Sequence, residues 1–291
     1  MSFSLVNNLA SLDSQSRLSA TSAKLNRTLQ RLSSGLRINN SGDDAAGLAI
    51  ANVFRNDIAK LSQGIRNAND GVSTLQIIDG GLATISTLLD RAMTLATQSA
   101  SDTFTGDRNT LNNELQKVVA EISRQAQNIG LASNNATDPG WDRFAKTLNV
   151  FIGGGTTATS SNNSVTIDLS GVNVDAAGLG FATYSGGTYT STIDISTQAN
   201  ATTAIQTIRT AVDTLGVVQG KVGAGQNNLA QAIDLATSQL TNFQAAESRI
   251  RDADIAAEAS DLSRLTILQQ AGVAALAQAN QSNQAVLSLL R

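Results

Sequence analysis

The chain has 291 residues, 41% of them apolar but only 3% aromatic, with a formal net charge of −3. Charged residues are 15% of the total, against about 25% in an ordinary soluble domain, and they carry no electrostatic footprint for nucleic acid. There is no cysteine and no histidine, which excludes thiol nucleophiles, Ser–His dyads, HExxH metalloprotease sites and Cys/His zinc centres.

The amino-terminal stretch MSFSLVNNLASLDSQSR lacks a basic n-region and a continuous apolar h-region, so it does not read as a cleaved secretory signal. Leu5, Leu9 and Leu12 form one helical stripe. Leu18, Leu25, Leu29, Leu32 and Leu36 form a second, rotated from the first by about 140°. One straight helix with one partner cannot bury both. The sequence therefore predicts a break near residues 13–16, or different neighbours along the helix. Next comes NNSGDDAAG, where Asp43 and Asp44 pose a choice between a metal site and a helix cap. The cap is the better reading, because a helical apolar pattern starts directly after them.

A 3–4 spacing of apolar residues then runs Phe54, Ile58, Leu61, Ile65, Ala68, Val72, Leu75, Asp79, Leu82, Ser86, Leu89, Met93, Ala96, broken only by Asp79 and Ser86. A helix of that span is about 64 Å long, and a rod follows. SASDTFTGDRN reads as a turn. A third helical block follows at Leu111, Leu115, Val118, Ile122, Ala126 and Ile129. Residues 139–198 are Gly/Ser/Thr-rich and open with Pro139, the one proline. They carry alternating patterns at Val165, Ile167, Leu169 and at Ile193, Ile195, which predict a β-rich insert on an exposed tip.

The next long seam is Ala201, Ile205, Ile208, Val212, Leu215, Gln219, Val222, Gln226, Leu229, Ile233, Ala236, Leu240, Phe243, Glu247, Ile250, an antiparallel or returning partner for the first. Gly216, Gly220, Gly223 and Gly225 interrupt it at about 1 kcal/mol each, which implies either very close packing or a bend. GKVGAG lacks the order of a phosphate loop and lies within this helical pattern. GGG at 153–155 reads as a turn. In the last segment Leu262, Leu265, Val273, Leu276, Leu287 and Leu290 share an arc of about 100°. Each end thus has one apolar stripe and little to cover it, so the ends are expected to be disordered in a single molecule and to fold on assembly. No apolar run approaches the roughly 18 residues of a membrane span.

Several phrases resemble the bacterial flagellins: LQRLSSGLRINNSGDDAAGLAIANVFRNDI (29–58), RNANDGVSTLQIIDGGL (66–82), TLATQSAS (94–101), SVTIDLSGVNVDAAGLG, and the whole of 248–291 from SRIRDADIAAEA to the last arginine. The resemblance implies a structural filament subunit without catalytic or cofactor-binding residues. In that family both ends build an inner coiled-coil tube, here residues 1–42 with 253–291. A helical rod domain surrounds it, here 43–138 with 199–252, and an insert points outward, here 139–198 and short. The leucines at 18, 25, 29, 32, 36, 262, 265, 276, 287 and 290 are then filament contacts, and Leu36 to Ala49, with Asp43 and Asp44, joins the tubes.

By the same resemblance Arg91, Leu95 and Glu114 match a subunit contact that a vertebrate Toll-like innate receptor also recognises. From spacing alone, Arg91 and Leu95 share a helix face with Glu114 on a facing helix, an arrangement that a solvated charge pair beside a packing leucine would also explain. Met93 stands where the family often has arginine. The implied partners are copies of the chain, an export chaperone, and cap and hook-associated proteins, with no membrane and no nucleic acid. The implied location is the extracellular flagellum, reached without a cleaved signal. Two other readings are a hook–filament junction or cap-type protein, and an amphipathic binder of membrane surfaces. The second wants Lys/Arg-rich polar faces with aromatic anchors, which are scarce here.

Overall fold

The computed structural model describes residues 8–132, 143–153, 163–185 and 188–289. Expectations for Leu5, Pro139 and Leu290 fall outside them, as does the side chain of Leu287. The protein is mainly α. Helices α1 (Leu9–Ser34), α2 (Ala45–Ala100), α3 (Arg108–Asn128), α4 (Gln198–Arg251) and α5 (Ile255–Leu289) are joined by strands β1 (Thr147–Phe151), β2 (Ser164–Asp168), β3 (Ala182–Ser185) and β4 (Thr188–Ser191). Two compact units divide the chain: Met1–Ile58 with Thr241–Arg291, and Ala59–Leu240.

In the second unit, α2 and α4 run antiparallel, with Gly71 against Leu229 and Gly225 against Leu75. The buried row of α2 reads Leu61, Gly64, Ala68, Gly71, Leu75, Ile78, Leu82, Ile85, Leu89, Ala92, Ala96, Ser99, an unbroken alternation of three and four. Half of the expected seam is therefore shifted by one residue. Ile78 and Ile85 are buried where Asp79 and Ser86 were expected, and Gly64 and Gly71 take the places of Ile65 and Val72. The same correction applies to α4, where Ala204, Ala211, Val218 and Gly225 are buried rather than Ile205, Val212, Gln219 and Gln226. Choosing the bulkier neighbour misses the narrow positions at Gly64, Gly71, Ala204, Ala211 and Gly225, and carrying the count on from them passes over Ile78, Ile85 and Val218.

Those small positions seat the antiparallel β1–β2 pair, which aligns Leu148 with Ile167 and Val150 with Val165. A Cβ on Gly64 would meet the Ile152 carbonyl oxygen at 1.9 Å, and one on Gly225 would meet Ile167 at 3.0 Å. Val150, Ile152 and Ile167 are buried beneath this seat. The second antiparallel pair, β3–β4, matches Thr183 with Thr190. Ile193 and Ile195, expected in a strand, lie beyond β4 and outside any ladder. Ile195 is held by Ser99 Oγ donating to its carbonyl at 2.6 Å, and Asn112 Oδ1 accepts from its N–H at 3.2 Å. A fully buried carboxylate, Asp175, accepts from Gly178 N–H at 2.7 Å and from the Tyr189 hydroxyl at 2.8 Å. It ties β4 to the loop before β3.

The α2–α3 turn falls at the expected place. Asp107 accepts from Asn109 N–H at 2.9 Å to cap α3, and Arg108 donates to the carbonyls of Ser99 and Ser101 at 3.0 and 3.1 Å. An arginine placed so satisfies carbonyls at the end of α2.

Helix α4 does not bend out of helix at its glycines. Gly225 is explained by close packing, whereas a Cβ at Gly216 or Gly220 would meet nothing within 4 Å. Replacing either with alanine is expected to stabilise the chain by up to about 1 kcal/mol. The midpoint of thermal unfolding followed by circular dichroism should rise by about 2–4 °C. GKVGAG lies inside this helix, as its pattern indicated.

Helix α2 contains an 18-residue window with a mean hydropathy of 1.3. The window arises by averaging Gly, Ala and Thr with regularly spaced Leu and Ile, not from a continuous apolar run. Its large apolar residues at 75, 78, 82, 85 and 89 are already buried within the unit.

In the first unit, α1 and α5 lie antiparallel. Arg31 pairs with Glu258 at 3.0 Å, a Cβ on Gly272 would lie 3.2 Å from Leu18, and Asn8 Nδ2 donates to the Ala279 carbonyl at 3.2 Å. The break considered for residues 13–16 is not there. An Asp13–Arg17 pair at 2.9 Å and a Ser14 bond to the Ala10 carbonyl at 2.7 Å keep those polar residues helical. Leu9 and Leu12 consequently remain exposed, at 70% and 69%. Phe54 stacks on Phe243 with ring centroids 5.7 Å apart.

Candidate functional site

The first unit keeps much of its apolar surface in water. Of the α1 leucines, Leu18, Leu25 and Leu32 are half-buried and Leu29 is exposed, and Leu36, just past the helix, is half-buried. On α5, Leu265 is buried and Leu262 and Leu276 are half-buried, while Val273, expected on the same arc, is 55% exposed. Ile267 and Leu268, which the arc did not include, are also exposed, as are Ile50 and Val53 on α2. Helix α5 thus has apolar residues around much of its circumference. The side toward α1 runs Leu262, Leu265, Leu276, with Gly272 letting Leu18 approach. Leu268 and Val273 flank that side and Ile267 lies opposite it, all three in solvent. Apolar residues spread round a helix in this way suit one with neighbours on several sides.

The ends of these helices meet in a knot of backbone pairing. Gly35 ends α1 in the left-handed region, at φ 72°, where a side chain would be strained. Leu36 and Asp252 form an antiparallel bridge, flanked by Arg37 N–H to Arg251 O at 2.7 Å and Ala253 N–H to Gly35 O at 2.9 Å. Arg37 Nη2 adds a bond to Ile250 O at 2.6 Å. Asp254 restarts the helix, accepting from Ala256 and Ala257 N–H at 2.9 and 3.1 Å.

Asp43 and Asp44 have different tasks. Asp44 Oδ1 accepts from Gly47 N–H at 2.8 Å, a cap on α2 of the kind worth about 1 kcal/mol. Asp43 folds the preceding loop instead, its Oδ2 accepting from Asn40 and Asn39 N–H at 3.1 and 3.3 Å. The Asn40 amide above all, then that of Asn39 and the cations Arg31 and Arg27, hold its carboxyl below the usual range against the opposing effect of burial. The loop therefore keeps this support above about pH 4 and loses it as acid protonates Asp43. Among the described residues no three potential ligands are grouped to hold a metal ion.

In the second unit, Arg91 donates through Nε to Glu114 Oε1 at 3.0 Å, joining α2 to α3. Both side chains are about half exposed, at 53% and 43%. Leu95 is 1% exposed and packs inward, so the surface of this trio is the charge pair alone. Sequence reasoning missed Arg37, Arg251, Asp254 and Glu258 altogether. Asp254 stands where a cap belongs, just before IAAEA, and was the one legible signal among them.

Models of the bacterial flagellin N-terminal and C-terminal helical regions match residues 6–135 and 205–290. The flagellin of Halalkalibacterium halodurans is 38% identical, with 91% of each chain covered. The flagellar filament 33 kDa core protein of Treponema phagedenis is 34% identical, with 98% of each covered. A crystal structure of Bacillus cereus flagellin aligns with 62% of this chain and 94% of that one, at 26% identity and a TM-score of 0.45. Both helical regions are matched in order, and relatives above 30% identity align over nearly all of their own length, so the chain belongs to the bacterial flagellin family.

Proposed function

We propose that the chain is the repeating structural subunit of a bacterial flagellar filament, held in the array by the apolar faces of α1 and α5. The observation that carries this reading is the apolar surface that α5 leaves in solvent around its circumference, where Ile267 is 65% exposed and Leu268 and Val273 about half exposed. Full burial of such a side chain is worth about 1.5–3 kcal/mol, a gain that sister subunits can supply. Each contact joins different surfaces of the two copies, so the array propagates as an open helix.

In this reading residues 1–42 with 253–291 form the inner tube, 43–138 with 199–252 the surrounding rod, and 139–198 the outward insert. The leucines at 18, 25, 29, 32, 36, 262, 265, 276, 287 and 290 face sister chains or each other. The Arg91–Glu114 pair lies at a subunit contact and is the part of the receptor-like patch that a Toll-like protein could touch. An export chaperone covers the α5 face before secretion, and cap and hook-associated proteins bound the extracellular filament. We assign the chain no catalytic residue and no cofactor. A membrane-surface role is disfavoured because Leu75, Ile78, Leu82, Ile85 and Leu89 of α2 are used internally and aromatic anchors are scarce.

The test is assembly of the purified chain. Above a critical concentration, and seeded with filament fragments, it should form uniform helical filaments visible by electron microscopy. A chain that stays monomeric under seeding, or floats with lipid vesicles instead, overturns the proposal.

A further inference from the structure

Arg91 and Glu114 meet across two helices with both side chains open to water. An ion pair so exposed contributes little and does not decide how the helices align. The apolar contacts of α3 decide it only weakly. Its buried residues Leu115, Val119, Ile122 and Ala126 recur every three or four positions, and attraction between such groups is non-directional. A directional restraint must therefore hold Glu114 opposite Arg91. A closed ring of hydrogen bonds lies less than two turns away. Arg108 donates through Nε to the Ser99 carbonyl at 3.0 Å and through Nη2 to the Ser101 carbonyl at 3.1 Å. Ser99 is fully buried, and its Oγ donates to the Ile195 carbonyl at 2.6 Å. The Ile195 N–H leads back to α3 by donating to Asn112 Oδ1 at 3.2 Å. One turn on, Gln116 Nε2 donates to the Ile193 carbonyl at 2.8 Å. Asn112 and Gln116 share a helix face, and Glu114 between them leaves that face for Arg91 on α2.

We propose that Arg108 is a positioning residue: it sets α3 in register on α2 and so fixes where the Arg91–Glu114 pair stands on the surface offered to sister subunits. This rests on the filament reading above. The guanidinium is a planar fork that reaches two carbonyls at one alignment of the helices. A slide of one turn, about 5.4 Å, breaks both bonds and leaves those carbonyls unmet. The Phe104 ring, 5.6 Å from the guanidinium carbon, packs against the fork and favours its charge. The donors come from the helix that follows the turn, so the same two bonds that end α2 also place α3. Each copy then presents its charge pair at one height along the rod, and a joining subunit has less left to order.

The absence of native cysteine lets spin labels be placed at chosen sites. Labels on the full chain carrying Arg91→Cys and Glu114→Cys report the alignment of α2 and α3 with the ion pair itself removed. A narrow dipolar spectrum is expected from the single molecule. Adding Arg108→Ala should broaden it, and Arg108→Lys, which keeps the charge without the fork, should broaden it less. A spectrum that Arg108→Ala leaves unchanged, or one already broad with Arg108 in place, overturns the proposal. In the otherwise unsubstituted chain, Arg108→Ala should slow the elongation of seeded filaments severalfold. Ile122→Val, which removes a buried methyl group from the same helix and spares the ring, should leave that rate unchanged. No slowing by Arg108→Ala, or equal slowing by both variants, overturns the positioning role. Failure of the unsubstituted chain to elongate on seeds overturns the filament reading instead, while the label spectrum still tests Arg108 by itself.

Discussion

A chain ending at Asp261 is expected to remain helical in its second unit and to form no filaments at concentrations where the full chain polymerises. The deletion removes two surfaces at once. The first is the side of α5 that covers α1, so that Leu18 and Leu25 lose the cover of Gly272, Leu265 and their neighbours. The second is the exposed set Ile267, Leu268 and Val273, which stand around the rest of the helix and are open to sister chains. If assembly buries about half of each of those three side chains, the lost stabilisation is about 2–5 kcal/mol per subunit. At 1.4 kcal/mol per tenfold, the critical concentration rises by roughly 30-fold to several thousandfold. The residues of the second unit, 59–240, are untouched, with Leu75, Ile78, Leu82, Ile85 and Leu89 still packed inside it. Sedimentation and electron microscopy read the first outcome, and far-ultraviolet circular dichroism the second. Filaments from the shortened chain would refute the terminal-helix account, and loss of all helical signal would show that the units are not separable.

How much of this was legible beforehand depended on what kind of interaction carried each feature. The long helices were plain, because the set Leu61, Ala68, Leu75, Leu82, Leu89, Ala96 repeats every seven residues, as does Ala201, Ile208, Leu215, Val222, Leu229, Ala236. The complementary half of each seam was misread by one position because it contains Gly64, Gly71, Ala204, Ala211 and Gly225. A scan for hydrophobic side chains rewards bulk. The β1–β2 pair needed positions without bulk, and only the partner's approach shows why.

The junction between the terminal helices was hidden for a different reason. Its bonds run between backbone N–H and C=O groups of Gly35, Arg37, Arg251 and Ala253, which every non-proline residue possesses. Side-chain identity leaves no trace of such a pairing, apart from Gly35 where the backbone turns left-handed. Leu95 fell between these cases. Its type and spacing suggested a contact, but whether a leucine faces a neighbour or its own core is decided by where α3 packs. On α5 the stripe logic found the side toward α1, at Leu262, Leu265 and Leu276, took in Val273 at its edge, and missed Ile267 and Leu268. One arc describes a helix with one partner, and α5 carries apolar residues outside that arc.

Gly64→Ala is expected to be as damaging as Gly220→Ala is favourable, although both place one methyl group on a long helix. At Gly220 the new carbon meets nothing within 4 Å, so alanine brings only its better helix propensity. At Gly64 it would lie 1.9 Å from the carbonyl oxygen of Ile152, 2.5 Å from the carbonyl carbon and 2.8 Å from Cα. These are backbone atoms and cannot turn aside as a side-chain tip would. The adjoining Gly153 cannot take up the shift, since its own would-be Cβ lies 3.2 Å from the Lys60 carbonyl, one turn away on α2. The strand pair must therefore lift from the helix, exposing Val150, Ile152 and Ile167. Overpacking of this kind, added to lost burial, costs about 3 kcal/mol or more. That corresponds to a fall in melting temperature of roughly 6–12 °C. Trypsin supplies the local reading, because Lys146 lies just before β1 and its cleavage should accelerate when the pair is unseated. A Gly64→Ala chain that melts with the unsubstituted protein and is cut at Lys146 no faster would show that β1 and β2 are not seated on α2 at this glycine.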